Sequence, residues 1–215
     1  MTVLSTFIGQ VKPGRLEDAV AMTAQAAKPL EAHGGKNIRL FRAMSGEAYG
    51  SLAVSVEYDS NEAWGAATDA IMADDEIVSL LARVDGEQSP YLSQTLSTSM
   101  EIPIGGPKGR GPILQAIVSR AAPGKMQAAI DLGTRTAETL GRLGVSGCRL
   151  LWLGNAGSQA GLLVLVSEYA TNAAMGKATD GFFADAAALE LLGFVYGADS
   201  PVTIISEDVY TEITL

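Results

Sequence analysis

The sequence predicts an α+β protein made of two tandem β-α-β-β-α-β units whose antiparallel sheets pack together into one intramolecular barrel. Three observations carry this. Residues 57–102 return as 168–213, and 18 of these 46 aligned positions are identical. Each copy alternates β-rich, period-two segments with segments of helical period. Between the copies lies Pro103-Ile104-Gly105-Gly106-Pro107-Lys108-Gly109-Arg110-Gly111-Pro112, whose Pro and Gly content marks a linker. The expected organisation is 1–102 for the first unit, 103–112 for the linker and 113–215 for the second unit.

Val3 to Val11 is rich in β-formers and stops at Pro13-Gly14; its copy, Ile113 to Ala121, stops at Pro123-Gly124. Helical spacing follows, with Leu16, Ala19, Val20, Thr23 and Ala27 matched by Met126, Ala129, Ile130, Gly133 and Ala137. Pro29 is expected to kink or shorten the first of these helices, which should end at His33-Gly34-Gly35. A second strand is expected over Asn37 to Met44, copied in Gly147 to Gly154, with Arg39-Leu40 aligned to Arg149-Leu150. The third, Gly50 to Tyr58, sets apolar Leu52, Val54, Val56 and Tyr58 against small or polar Ser51, Ala53, Ser55 and Glu57. In the copy that second face becomes Leu162, Val164, Val166 and Glu168. Hydroxyl N-caps at Ser60 and Thr171 open the next helix, with a break expected at Asp74-Asp75, and Leu92 to Ile102 and Val202 to Ile213 close the units.

Composition narrows the partners. A formal net charge of −9, with fifteen scattered Lys and Arg, argues against nucleic acid and against an anionic membrane surface. The single Cys148 excludes an internal disulfide and fits a reducing compartment. The longest apolar run, Gly161 to Val166, is too short to span a bilayer, and the N-terminus lacks the features of a signal peptide, so the expected location is cytoplasmic.

The β-α-β-β-α-β order is the ferredoxin-like arrangement. With it, the segment Glu57-Tyr58-Asp59-Ser60-Asn61-Glu62-Ala63-Trp64, a strand leading into a capped helix with an aromatic in its first turn, resembles the dimeric α/β-barrel superfamily. That group includes cofactor-free antibiotic-biosynthesis monooxygenases, NIPSNAP-type proteins, muconolactone isomerase and haem-degrading monooxygenases. The resemblance implies a barrel that two subunits usually build, here supplied by the second copy, with further homodimerisation left open. It implies a small apolar ligand, no metal or organic cofactor, and, if there is catalysis, oxidation or isomerisation of an aromatic or enolisable substrate. The alternative is a non-catalytic binding or structural barrel. With one histidine, His33, the haem-using members fit poorly.

The expected substrate-binding residues are Arg39, Glu57, Tyr58, Trp64 and Ser55. Arg39 and Glu57 share parity on adjacent strands, as Arg149 and Glu168 do, so each pair reads either as a cross-strand ion pair or as a polar anchor for an anionic or enolate oxygen. Asp69 and Asp180, kept in both copies, read either as cavity-facing acids or as helix surface and side-chain-to-backbone contacts. The polar floor of Ser51, Ser55 and Glu57 places the expected cavity in the first unit, with the leucine- and valine-lined second unit as its structural partner.

Overall fold

In a computed structural model, which describes residues 1–214, eight antiparallel strands form one closed barrel with helices outside it. The first unit contains β1 (Val3–Val11), α1 (Leu16–Ala32), β2 (Lys36–Ser45), β3 (Ser51–Tyr58), α2 (Asn61–Met72), α3 (Asp75–Asp85) and β4 (Tyr91–Ile102). The second contains β5 (Ile113–Ala121), α4 (Met126–Arg142), β6 (Gly147–Leu153), β7 (Leu163–Tyr169), α5 (Asn172–Ala184), α6 (Ala186–Val195) and β8 (Val202–Ile213).

The strand order is β1-β3-β2-β8-β5-β7-β6-β4. Advancing four places around the ring maps each strand onto its copy, so the units are related by a pseudo-twofold rotation about the barrel axis. Two equivalent seams close the ring: Leu40 faces Ile213 where β2 meets β8, and Ile102 faces Leu150 where β4 meets β6. Closure leaves neither sheet with a free edge.

Local chemistry explains the elements. Ser60 Oγ accepts the Ala63 N–H at 3.1 Å, and Thr171 Oγ1 accepts that of Ala174 at 3.0 Å. The break in the long helix comes where Asp74 Oδ1 caps α3, accepting from Glu76 and Ile77; Asp185 Oδ1 does the same for Ala188 in the copy. Pro29 lies inside α1 and does not shorten it. His33 lies past the end of α1, and its Nε2 is 2.7 Å from Asp74 Oδ2, which ties two helix ends together. Asp69 and Asp180 are exposed on helix surfaces. No helix among the described residues is long and apolar enough to cross a membrane, which says nothing of β-barrels.

Strand alternation creates two separate interiors. Residues of one parity face outward onto the helices and form one apolar core per unit. Residues of the other parity face the lumen. Ser51, Ala53 and Ser55 therefore face the same lumen as Val164 and Val166, and the contrast between the copies describes two walls of one chamber.

Candidate functional site

The second unit holds a cavity of about 220 Å³ between its sheet and its helices. Its walls come from β5, β6, β7 and β8 on one side and α4, α5 and α6 on the other, and they are mostly apolar. The repeat shows why it exists here. In the first unit Tyr91 fills the corresponding space: it is buried, its ring meets Phe7 edge-on at 5.3 Å, and its hydroxyl reaches toward Ala19 O. Gly9 makes room for that ring, since a Cβ there would lie 2.4 Å from Tyr91 Cδ1. In the second unit the aligned positions of Tyr91, Phe7 and Gly9 are Val202, Ile117 and Ser119, and that of buried Thr23 is Gly133. Two aromatic rings are lost and the space stays open. This corrects the expectation that the first unit carries the helix-side cavity and the second is filled.

A directed polar array enters that cavity. Tyr169 Oη is 2.7 Å from Gln115 Oε1, and Gln115 Nε2 is 2.6 Å from Glu207 Oε1. A carboxylate only accepts, so the amide must donate to Glu207 and accept from Tyr169, which fixes the direction of both bonds. The Tyr169 oxygen keeps lone pairs free and Glu207 keeps Oε2 free, so the array presents acceptors to a ligand. Burial pushes the Tyr169 phenol up to about 12, the nearby Cys148 adding to the rise, and the hydroxyl stays protonated near neutrality. In the first unit the aligned positions are Tyr58, Ser5 and Leu96, and no such array forms.

The barrel lumen is a second chamber of about 350 Å³, lined at one end by a chain of charges. Arg39 Nη1 donates to Glu168 Oε2 at 2.8 Å, and its Nε and Nη2 grip Glu212 at 2.9 and 2.8 Å. Arg149 repeats the motif, donating to Glu57 at 2.6 Å and to Glu101 at 2.9 Å. Arg110 joins the halves, 2.5 Å from Glu57 and 3.1 Å from Glu168. The chain Glu212–Arg39–Glu168–Arg110–Glu57–Arg149–Glu101 is symmetric about Arg110, since each group on one side is the repeat mate of one on the other. Arg110 belongs to the linker, which composition marks only as a spacer; it is the one member without a copy.

The expected pairing of Arg39 with Glu57 is thus corrected: each arginine bonds the glutamate of the opposite unit. A bulge between Lys36 and Arg39 leaves Arg39 opposite Ser55 in the β2–β3 ladder, and closure of the ring brings Glu168 to it. Asn37, at φ +48°, donates to Glu57 at 2.8 Å from within this irregularity. Burial disfavours the Glu57 charge, but the Asn37 bond and the nearby Arg149 and Arg110 outweigh it and hold the carboxyl below its usual range. Burial likewise opposes the charge on Arg39, and the bonds to Glu212 and Glu168 override it, so the guanidinium is held above its ordinary value.

Of the five residues expected to bind substrate, Arg39, Glu57 and Ser55 face the lumen, whereas Tyr58 and Trp64 pack in the helix-side core of the first unit. The structure does not gather them into one site. Gln115, Glu207, Gly133 and Arg110 escaped sequence reasoning. The signal for the cavity lay in the outward-facing positions of the repeat, where Tyr91 becomes Val202 and Leu96 becomes Glu207.

No family model matches the sequence, and no curated protein matches it. Solved structures do. An anthrone oxidase-like protein aligns over 99% of this chain and 91% of its own, with TM-score 0.61 and 15% identity. A candidate monooxygenase of Fusobacterium nucleatum subsp. nucleatum aligns over 99% and 93%, with TM-score 0.62 and 9% identity. A ferredoxin-fold protein of Listeria monocytogenes, related to antibiotic biosynthesis monooxygenases, aligns over 100% and 97%, with TM-score 0.51 and 11% identity. The chain therefore shares the ferredoxin-like fold of these proteins, carried as two copies in one polypeptide.

Proposed function

We propose that this chain binds an aromatic, enolisable small molecule in the helix-side cavity of the second unit and oxidises it with dioxygen, without a metal or organic cofactor. The single observation that carries the reading is the Tyr169–Gln115–Glu207 array entering an otherwise apolar cavity, present in one copy and filled over in the other. Apolar walls select a flat hydrocarbon body, and free acceptors select a substrate that donates a hydrogen bond, a phenol or an enol.

Glu207 lies at the exposed edge of the cavity and takes the role of general base, removing the proton that leaves an electron-rich enolate. Tyr169, protonated and held by Gln115, orients the substrate oxygen. The enolate passes electrons to dioxygen, and the balance for an activated methylene is R₂CH₂ + O₂ → R₂C=O + H₂O. The fold supports this reading through one protein described as a candidate monooxygenase and one as anthrone oxidase-like, at identities that speak to architecture alone.

Oxygen uptake with anthrone as probe substrate tests it. The wild type should consume oxygen, and Glu207→Gln should lower the rate by about 10²–10⁴-fold, the usual contribution of a general base. The pair Val202→Tyr and Ser119→Gly, which transplants the first unit's packing, should abolish binding. Uptake unchanged by both variants would refute the site. Binding with no oxygen consumption would refute the oxidation and leave the non-catalytic barrel.

A further inference from the structure

The lumen is larger than the helix-side cavity and is separated from it by the sheet, and nothing in the proposed oxidation uses it. Its walls differ. The first unit contributes the hydroxyls of Thr6, Ser55 and Ser99 among apolar side chains such as Leu4; the second contributes mostly aliphatic surface, at Ala116, Val164 and Val166, with the Asp208 carboxylate beside it. Among the described residues those three hydroxyls make no side-chain hydrogen bond, and no buried polar side-chain atom is sealed away without a partner, so these oxygens reach open lumen space. A hydroxyl in that position is satisfied by water or by a ligand oxygen.

The charges at the two ends argue against an anionic occupant. At the charged end four carboxylates face three guanidiniums, and every guanidinium is already bonded to two of those carboxylates. An incoming anion would add to an excess of negative charge, and would find no unpaired cation. At the other end exposed Glu47 and Gln159 edge the chamber, leaving a way in.

We propose that the barrel lumen is a second binding site, distinct from the helix-side cavity, for an uncharged amphiphile: a hydrocarbon chain or ring that lies on the second unit's aliphatic wall and turns hydroxyl or carbonyl oxygens to the first unit's hydroxyl wall. The assignment does not depend on the oxidation reading, because the two chambers share no wall residue.

Fluorescence titration of the whole chain with N-phenyl-1-naphthylamine, a neutral apolar probe, tests it. Two probe sites per chain are expected. Ala116→Phe, which fills the lumen, should remove one, and Val202→Tyr with Ser119→Gly should remove the other. In that second background, 1-decanol should displace the remaining probe at least tenfold more effectively than decanoate at pH 8. A single site, lost on filling the helix-side cavity and untouched by Ala116→Phe, would overturn the proposal and leave a lumen that holds water only. Equal or better displacement by decanoate would overturn the assignment to uncharged ligands. Ala53→Leu, a smaller filling of the same chamber, reads the same outcomes if Ala116→Phe does not fold.

Discussion

Replacing Arg39 with alanine removes four hydrogen bonds at once, two to Glu212, one to Glu168 and one to the carbonyl of Gly111. It also uncovers the face of Phe41, over whose ring the guanidinium carbon sits at 4.6 Å. The consequences for the two carboxylates differ. The Glu212 side chain is 30% exposed and can take up water, whereas that of Glu168 is 2% exposed and cannot. Stranding one partner of a buried pair costs about 3–5 kcal/mol. Glu168 keeps Arg110 and the Gly111 N–H, which places the cost at the lower end, about 3 kcal/mol. For a chain of this length each kcal/mol moves the midpoint by roughly 2–4 °C, so thermal unfolding followed by circular dichroism at pH 7 should show a fall of about 6–12 °C. The double variant Arg39→Ala, Glu168→Gln should recover part of that loss, because the stranded charge is gone. A midpoint within 2 °C of wild type, or a double variant less stable than Arg39→Ala alone, would refute a network that joins the units across the barrel.

Three further outcomes follow from the same structure. Glu57 has a folded-state pKa below its ordinary value of 4.5, so its contribution is complete above that value and is lost as pH falls through the folded one; the acid limb of a stability–pH profile should flatten in Glu57→Gln. Tyr91→Val with Gly9→Ser gives the first unit the second unit's packing and should cost about 2–4 kcal/mol for the cavity formed, while creating a new site for apolar probes there, read by the same fluorescence titration. Gly111→Ala places a Cβ 2.3 Å from the carbonyl oxygen of Tyr169, so the linker must move, Arg110 with it, and the midpoint should fall by several degrees in a thermal melt.

The sequence carried the strands well: β1 and β5 are β-rich segments stopped by Pro-Gly, and they and β8 have the expected limits. The break expected at Asp74-Asp75 falls where the Asp74 side chain caps α3. Other features depend on closure. Parity says that Arg39 and Glu57 face the same way, but which glutamate meets which arginine depends on two seams that bring the units together. Ser51 and Ser55 against Leu162 and Val166 looked like a cavity in one unit and a filled core in the other, when both faces share a lumen. The helix-side cavity was visible in principle at Tyr91 and Val202, a difference hidden among poorly matched strand positions. Arg110 had no copy to mark it, and composition made its segment look featureless.

The central claim is that the ligand of the proposed oxidation enters the second unit and leaves the matching space in the first unit untouched. Methyl-labelled nuclear magnetic resonance of the whole chain, titrated with anthrone under nitrogen, tests it most directly. The account predicts shifts of the Leu132, Leu163, Leu165, Leu191 and Val202 methyls, which line or pack against the cavity, with those of Leu40, Leu52, Val56 and Leu80 in the first unit's core unmoved. Shifts confined to the first unit's core, or to lumen methyls such as those of Val164 and Val166, would contradict it.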